Sequence, residues 1–221
     1  MIHFAEIQNG ILFDAVENMF PSSMFGVTSE LGRSEISSTH YGFVFEGEFQ
    51  LRRKGFPTLT LVSGMHFCCP GAFQLDGQGR AVAIERKGYR GLFSVGGPVE
   101  TRGRLSYIDG CTTSLLAQPA RMGEPCLNLL CFPPQTVQTE HTHPTLRMGL
   151  VYSGSGLCLS KGKELCALKP GQTFFIEEGF SHSFHTQDQQ LSIIAFHPDT
   201  DWGPTDQQHP MLNRTYMKQL P

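Results

Sequence analysis

Two stretches of this chain repeat each other without a gap, and that repeat narrows the folds open to it more than any other feature. HYGFVFEG, from His40 to Gly47, aligns with RMGLVYSG, from Arg147 to Gly154. The alignment puts Gly42 on Gly149, Val44 on Val151 and Gly47 on Gly154, an offset of 107 residues. The same offset carries Gly64 onto Gly171, Phe67 onto Phe174 and Phe73 onto Phe180. Self-similarity at a fixed offset is the mark of a duplicated structural unit. Two tandem domains are therefore expected, residues 1–100 and residues 101–221. The stretch between the copies carries Gly96-Gly97-Pro98, Pro119, Pro125 and Pro133-Pro134, yet it holds enough apolar residues to pack.

Inside each copy the pattern is β. Phe43-Val44-Phe45, Phe49-Gln50-Leu51 and Thr58 to Val62 are short aromatic or β-branched runs bounded by turn formers. Gly149 to Tyr152, Leu157 to Leu159, Thr173 to Ile176 and Leu191 to Phe196 do the same in the second copy. Leu127 to Phe132 reads as a buried strand, and the run Ser114 to Leu116 is too short to assign. Helical spacing occurs only at Ile11 to Met19 and predicts one short helix. With Gly 24, Pro 14 and Phe 17, the composition also suits many short strands joined by tight turns. The expected class is an all-β sandwich or barrel.

A net charge of -3 offers no basic surface for nucleic acid. No apolar stretch is long enough to cross a bilayer, and Met1 to Gly10 lacks the basic start of a secretion signal. The seven cysteines are odd in number and irregularly spaced, which predicts reduced thiols and a cytoplasmic protein.

The chemistry concentrates in Gln138-Thr139-Glu140-His141-Thr142-His143-Pro144-Thr145-Leu146-Arg147. Residues two apart in a strand share a face, so His141 and His143 project side by side. Two neutral imidazoles so placed can hold one metal ion. A third ligand must come from another strand, and His182, after Gly179-Phe180-Ser181, is the candidate. His185 falls on the opposite face from His182, Glu140 alternates away from His141, and Glu177 and Glu178 sit in a turn.

In these residues the sequence resembles the cupin superfamily, whose first motif is G-(x)5-H-x-H-(x)3,4-E-(x)6-G and second G-(x)5-P-x-G-(x)2-H-(x)3-N. Here His141-x-His143 is followed by Arg147 in place of the glutamate, then Gly154. The second motif reads Gly171, Glu177 for proline, Gly179, His182, and Thr186 for asparagine. The resemblance is close over residues 127–200 and loose, through the repeat, over residues 30–95. It implies two tandem cupin-type barrels, each a double-stranded β-helix or jelly roll. It also implies one divalent transition metal held by His141, His143 and His182. Arginine binds no cation, because its guanidinium is permanently charged. Three histidines without the glutamate leave open coordination positions, a setting suited to Fe(II) first, with Ni(II), Cu(II) and Zn(II) as alternatives. Some cupin thiol dioxygenases use three histidines with an arginine nearby. By that analogy Arg147 is the candidate catalytic residue, fixing a substrate carboxylate; the alternative is a salt bridge within the barrel.

The first copy lacks this chemistry. The offset sets Ser34, Ile36 and Leu75 where the three histidines stand, and His40 where Arg147 stands. A degenerate N-terminal barrel is expected, either structural or a metal-free ligand pocket, with His66 and Cys68-Cys69 in its wall. Trp202 is expected to pin the polar C-terminal tail. Three functions remain open: an oxygenase acting on a small carboxylate, a non-oxidative metal isomerase or lyase, and a non-catalytic small-molecule sensor. A homodimer is the family-level expectation, with neither nucleic acid nor membrane as partner.

Overall fold

The repeated glycine and phenylalanine turn out to be one contact built twice. In the computed structural model, Gly42 lies opposite Phe67 where strand Thr39–Arg52 pairs with His66–Pro70. Gly149 lies opposite Phe174 where Arg147–Gly154 pairs with Gln172–Ile176. A Cβ on Gly42 would sit 2.1 Å from the Phe67 ring, and one on Gly149 would sit 2.2 Å from the Phe174 ring. The ring crosses the space a side chain would need, so any residue but glycine forces the ring to shift. The turns repeat as well. Gly64 N donates to Val44 O and Gly171 N to Val151 O, both at 2.9 Å. The ladder is interrupted between Val44 and Glu46, and again between Val151 and Ser153. These are β-bulges at matching places, and a bulge bends a strand.

The structure describes residues 1–119, 121 and 123–200, and the backbone of 216–217. The expected anchor Trp202 lies outside the described residues. The chain divides into two compact units, Ala5–Glu100 on one side and Met1–Phe4 with Thr101–Pro221 on the other.

In the Ala5–Glu100 unit, two 14-residue strands, Thr39–Arg52 and Phe73–Arg86, pair along nearly their whole length. They carry shorter strands on both flanks, in the order Gly10–Ala15, Ser22–Val27, Phe73–Arg86, Thr39–Arg52, His66–Pro70, Ser94–Gly96. The interior is apolar, packed from Val44, Phe49, Leu51, Phe67, Phe73 and Leu75 among others. The predicted helix at Ile11 to Met19 is instead strand Gly10–Ala15 followed by a turn. The ladder to Ser22–Val27 skips a residue between Ile11 and Phe13. That bulge breaks strict alternation in the sequence and mimics helical spacing.

The Thr101–Pro221 unit is built on a seven-stranded sheet. Its central members run Gln172–Ile176, Arg147–Gly154, Leu191–His197, Cys126–Phe132, Thr112–Ala117. Every residue of Cys126–Phe132 and Leu191–His197 is buried, as expected for strands covered on both faces. The run Ser114 to Leu116 belongs to strand Thr112–Ala117. A second sheet, ordered Lys163–Leu168, Gly156–Ser160, Ser183–His185, shares one core with the first through Cys158, Phe184, Phe174 and Leu130. Apart from one 3-10 turn at Ile108–Gly110, the described secondary structure is all β. Among the described residues no helix is long and apolar enough to cross a membrane.

The 107-residue offset slips at one place. Leu75 pairs with Leu31, whereas His182, its counterpart, pairs with His141. Leu31, not Ser34, therefore occupies the histidine position in the first unit. Ser34 and Ile36 are exposed in the connection that follows.

Candidate metal centre

His141 and His182 lie directly opposite each other and exchange both backbone hydrogen bonds, each at 3.0 Å. His143 follows on the same face as His141, and its carbonyl accepts from Gly179 N at 2.9 Å. The chain entering His141 is thus tied at two points to the turn that delivers His182. The three rings converge, with centroids 5.0 Å (His141 to His143), 4.7 Å (His141 to His182) and 5.2 Å (His143 to His182) apart. One nitrogen from each lies within 4.8 Å of the others, and all three residues are buried.

The outer nitrogens decide what the inner ones can do. His141 Nδ1 faces Thr139 O at 2.8 Å, and His182 Nδ1 faces Phe180 O at 3.0 Å. A carbonyl can only accept, so each Nδ1 carries the proton and each Nε2 is left with a lone pair. That is the usual arrangement of metal-binding histidines. His143 Nδ1 is buried and has no hydrogen-bond partner among the described residues. Such an orphan costs about 1–3 kcal/mol if nothing binds to it. Burial keeps all three rings neutral: it pulls the His182 pKa down to about 3, and those of His141 and His143 also fall, His143 well below its ordinary value. Neutral imidazole is the ligand form, so the donor set fits a divalent transition metal.

Two carboxylates brace the cluster from outside. Glu140, one residue before His141, turns away from the histidines as alternation predicts. Its carboxylate accepts from Ser181 Oγ, one residue before His182, and from Lys161 N at 2.9 Å. Asp109 accepts from Thr139 N at 2.7 Å. His185 faces elsewhere, with its Nε2 2.9 Å from Ser183 Oγ. Glu177, where the cupin motif has proline, pairs with His3 at 3.1 Å. Thr186, in place of asparagine, accepts from Thr136 N at 2.9 Å and so holds the loop before the first histidine.

The histidines line a small, partly open pocket. Tyr107, Phe132, Phe174, Ile176 and Phe184 make its wall largely apolar, and Gln138, Arg147 and His197 add polar groups. Arg147 is buried. Its Nη1 donates to Leu146 O at 2.8 Å and to the Thr145 hydroxyl, and it lies 3.5 Å from Asp199 Oδ1. The Thr145 hydroxyl in turn donates to Asp199. Arg147 thus both lines the pocket and sits in a buried ion pair. Sequence reasoning passed over Asp199 and His197, whose ring is 6.4 Å from that of His143. Only alternation along Leu191–His197, which sets Ala195 and His197 on one face, signals that His197 turns inward.

A family model described as the AraC-like ligand binding domain matches residues 126–217. No curated protein matches the chain by sequence. Several solved structures resemble it in fold. A putative glyoxylate-induced protein from Pseudomonas aeruginosa is 15% identical, with a TM-score of 0.66, and the match covers 90% of this chain and 80% of that one. A cupin 2 conserved barrel domain protein from Leptotrichia buccalis is 14% identical, with a TM-score of 0.61 and coverage of 89% and 88%. Salicylate 1,2-dioxygenase from Pseudaminobacter salicylatoxidans is 11% identical, with a TM-score of 0.64 and coverage of 89% and 83%. That enzyme has also been solved in complex with gentisate. At these identities the likeness concerns the fold.

Proposed function

We propose, from the cupin-type fold and the three converging histidines, that this chain is a metal-dependent oxygenase, of the dioxygenase type, acting on a small organic carboxylate. His141, His143 and His182 hold one divalent metal, Fe(II) in first place, with Ni(II), Cu(II) or Zn(II) as alternatives. When bound, such a metal supplies open coordination positions at which an organic substrate and O2 can be brought together. The protein's share is positioning. The two braced histidine segments hold the donors in place, the apolar wall limits water, and Arg147 shares its guanidinium between Asp199 and the incoming carboxylate. The N-terminal unit, with leucines at two of the three histidine positions, serves as a metal-free scaffold. A cytoplasmic homodimer completes the reading, in keeping with seven free thiols.

The observation that carries this reading is the pair of Nδ1-to-carbonyl contacts that leaves Nε2 of His141 and of His182 as lone-pair donors in rings that converge with His143. The test is elemental analysis of protein purified without an affinity-tag metal, followed by O2 uptake with a panel of carboxylates and thiols. About one metal per chain and carboxylate-dependent O2 uptake are expected. A folded chain that takes up no metal ends the proposal.

The match to an AraC-like ligand-binding model favours a second reading, a non-catalytic small-molecule sensor. Saturable binding of a carboxylate without turnover, aerobically and anaerobically, would select it. Turnover without O2 would select instead an isomerase or lyase with the metal as Lewis acid.

A further inference from the structure

Among the described residues, strand register sets one pair of cysteines directly opposite each other. Gly156–Ser160 and Lys163–Leu168 form a hairpin. Its two turn residues, Lys161 and Gly162, have φ of 51° and 70°, the backbone of a tight two-residue hairpin turn. In this hairpin Cys158 lies directly opposite Cys166. Directly opposed residues of an antiparallel pair point to the same face, with Cα atoms about 4.5–5.5 Å apart. A disulfide needs Cα atoms about 4.4–6.8 Å apart. We propose that Cys158 and Cys166 are a reversible modification site, joined as a cross-strand disulfide by a small-molecule disulfide oxidant.

The two thiols differ in the way such a reaction requires. Cys166 is the only one of the seven cysteines that is not buried. It lies on the edge strand of its sheet, and its sulfur accepts from Gln172 Nε2 at 3.2 Å. Cys158 is fully buried in the core, and burial, followed by the nearby Cys166, pushes its thiol up to about 12. Cys166 is therefore the attacking thiol and Cys158 the resolving one. In the first step the Cys166 thiolate attacks one sulfur of the oxidant, breaking its S–S bond and releasing one small thiolate. The Cys158 sulfur then attacks Cys166, releasing the second small thiol, which takes the Cys158 proton. Two protein thiols are oxidised and one small disulfide is reduced to two thiols. The adjacent Cys68 and Cys69 point to opposite faces of their strand and do not oppose each other.

The pair is one residue away from the histidine pocket. Across the sheet Cys158 also opposes Phe184, whose ring lies 5.5 Å from that of His182. The hairpin turn supplies the Lys161 N–H that holds Glu140. A disulfide here stiffens the element that makes both contacts. The proposal stands whether or not the histidines bind metal.

The test uses the full, reduced chain incubated with oxidised glutathione at neutral pH. The expected result is an intact mass lower by about 2 Da and an unreduced tryptic map in which the Cys158 and Cys166 peptides, separated by cleavage after Lys161 and Lys163, run as one species. Cys166→Ser, a change at a partly exposed edge position, abolishes that mass loss. Three results would overturn the idea: alkylation of all seven thiols once the treated chain is unfolded, a glutathione adduct that persists on Cys166 while Cys158 stays free, or a linkage between other cysteines.

Discussion

His141 and His182 are arranged alike. Each ring leans its Nδ1 on the carbonyl two residues earlier in its own chain, Thr139 for one and Phe180 for the other. The two residues also share a reciprocal pair of backbone hydrogen bonds. Each ring is therefore held in orientation by a backbone carbonyl of its own chain segment. A site so held is formed before any ligand arrives, which lowers the cost of binding.

Removing one member of the cluster tests its chemistry directly. His182→Ala is expected to weaken metal binding by more than about 100-fold, since even partners one shell further out cost 10–100-fold. The far-ultraviolet circular dichroism should stay that of a β protein. Calorimetric titration with Fe(II) or Zn(II) measures the first and a spectrum the second. Unchanged affinity would remove His182 from the ligand set.

Glu140 accepts from the residue before His182 and from the hairpin turn. Glu140→Ala removes the acceptor of both bonds. A loss of about 1.5–3 kcal/mol in stability is expected for hydrogen bonds to a charged group, with metal affinity falling about tenfold. Urea unfolding and metal titration on the same preparation separate the two effects.

The Arg147–Asp199 pair should behave as a buried ion pair. Asp199→Ala leaves an uncompensated guanidinium and is expected to cost about 3–5 kcal/mol. Arg147→Met combined with Asp199→Ala should recover much of that loss. Denaturant unfolding of the singles and the double gives the coupling energy. Purely additive losses would mean the two charges do not depend on each other.

Acid should weaken the Ala5–Glu100 unit. Burial lowers the His40 and His66 pKa values from 6.5 to about 4, against the opposing pull of Glu85 on His40 and Glu100 on His66. Between those pH values the unfolded chain takes up protons that the folded unit refuses. Stability is therefore full above about pH 6.5 and falls towards pH 4, by up to about 1.4 kcal/mol per pH unit for each histidine. His40→Phe should remove one histidine's share of the difference between urea unfolding at pH 7 and pH 5. An unchanged difference would contradict the assignment.

The duplicated glycine contact gives a matched comparison. Gly42→Ala and Gly149→Ala each push a Cβ into a phenylalanine ring, and each should cost about 1–3 kcal/mol. Only Phe174, beneath Gly149, lines the histidine pocket. Gly149→Ala should therefore also disturb metal binding, and Gly42→Ala should not.

Much was legible in the sequence alone. The 107-residue repeat, strand alternation and the glycine turns determined an all-β chain, and the spaced histidines and glycines carried the cupin resemblance. Alternation also put His141 and His143 on one face and turned Glu140 away, because these are relations between neighbours within one strand. Other features depended on register between distant strands. Only tertiary pairing put Leu31, not Ser34, opposite Leu75, and made a bulged strand of the helix-like run at Ile11. It alone brought Asp199 to Arg147, His197 to the pocket and Cys158 opposite Cys166. Periodicity along a strand is a local property of the backbone. Which strand lies beside which, and at what offset, is decided by burying apolar faces together and satisfying backbone hydrogen bonds across the whole unit.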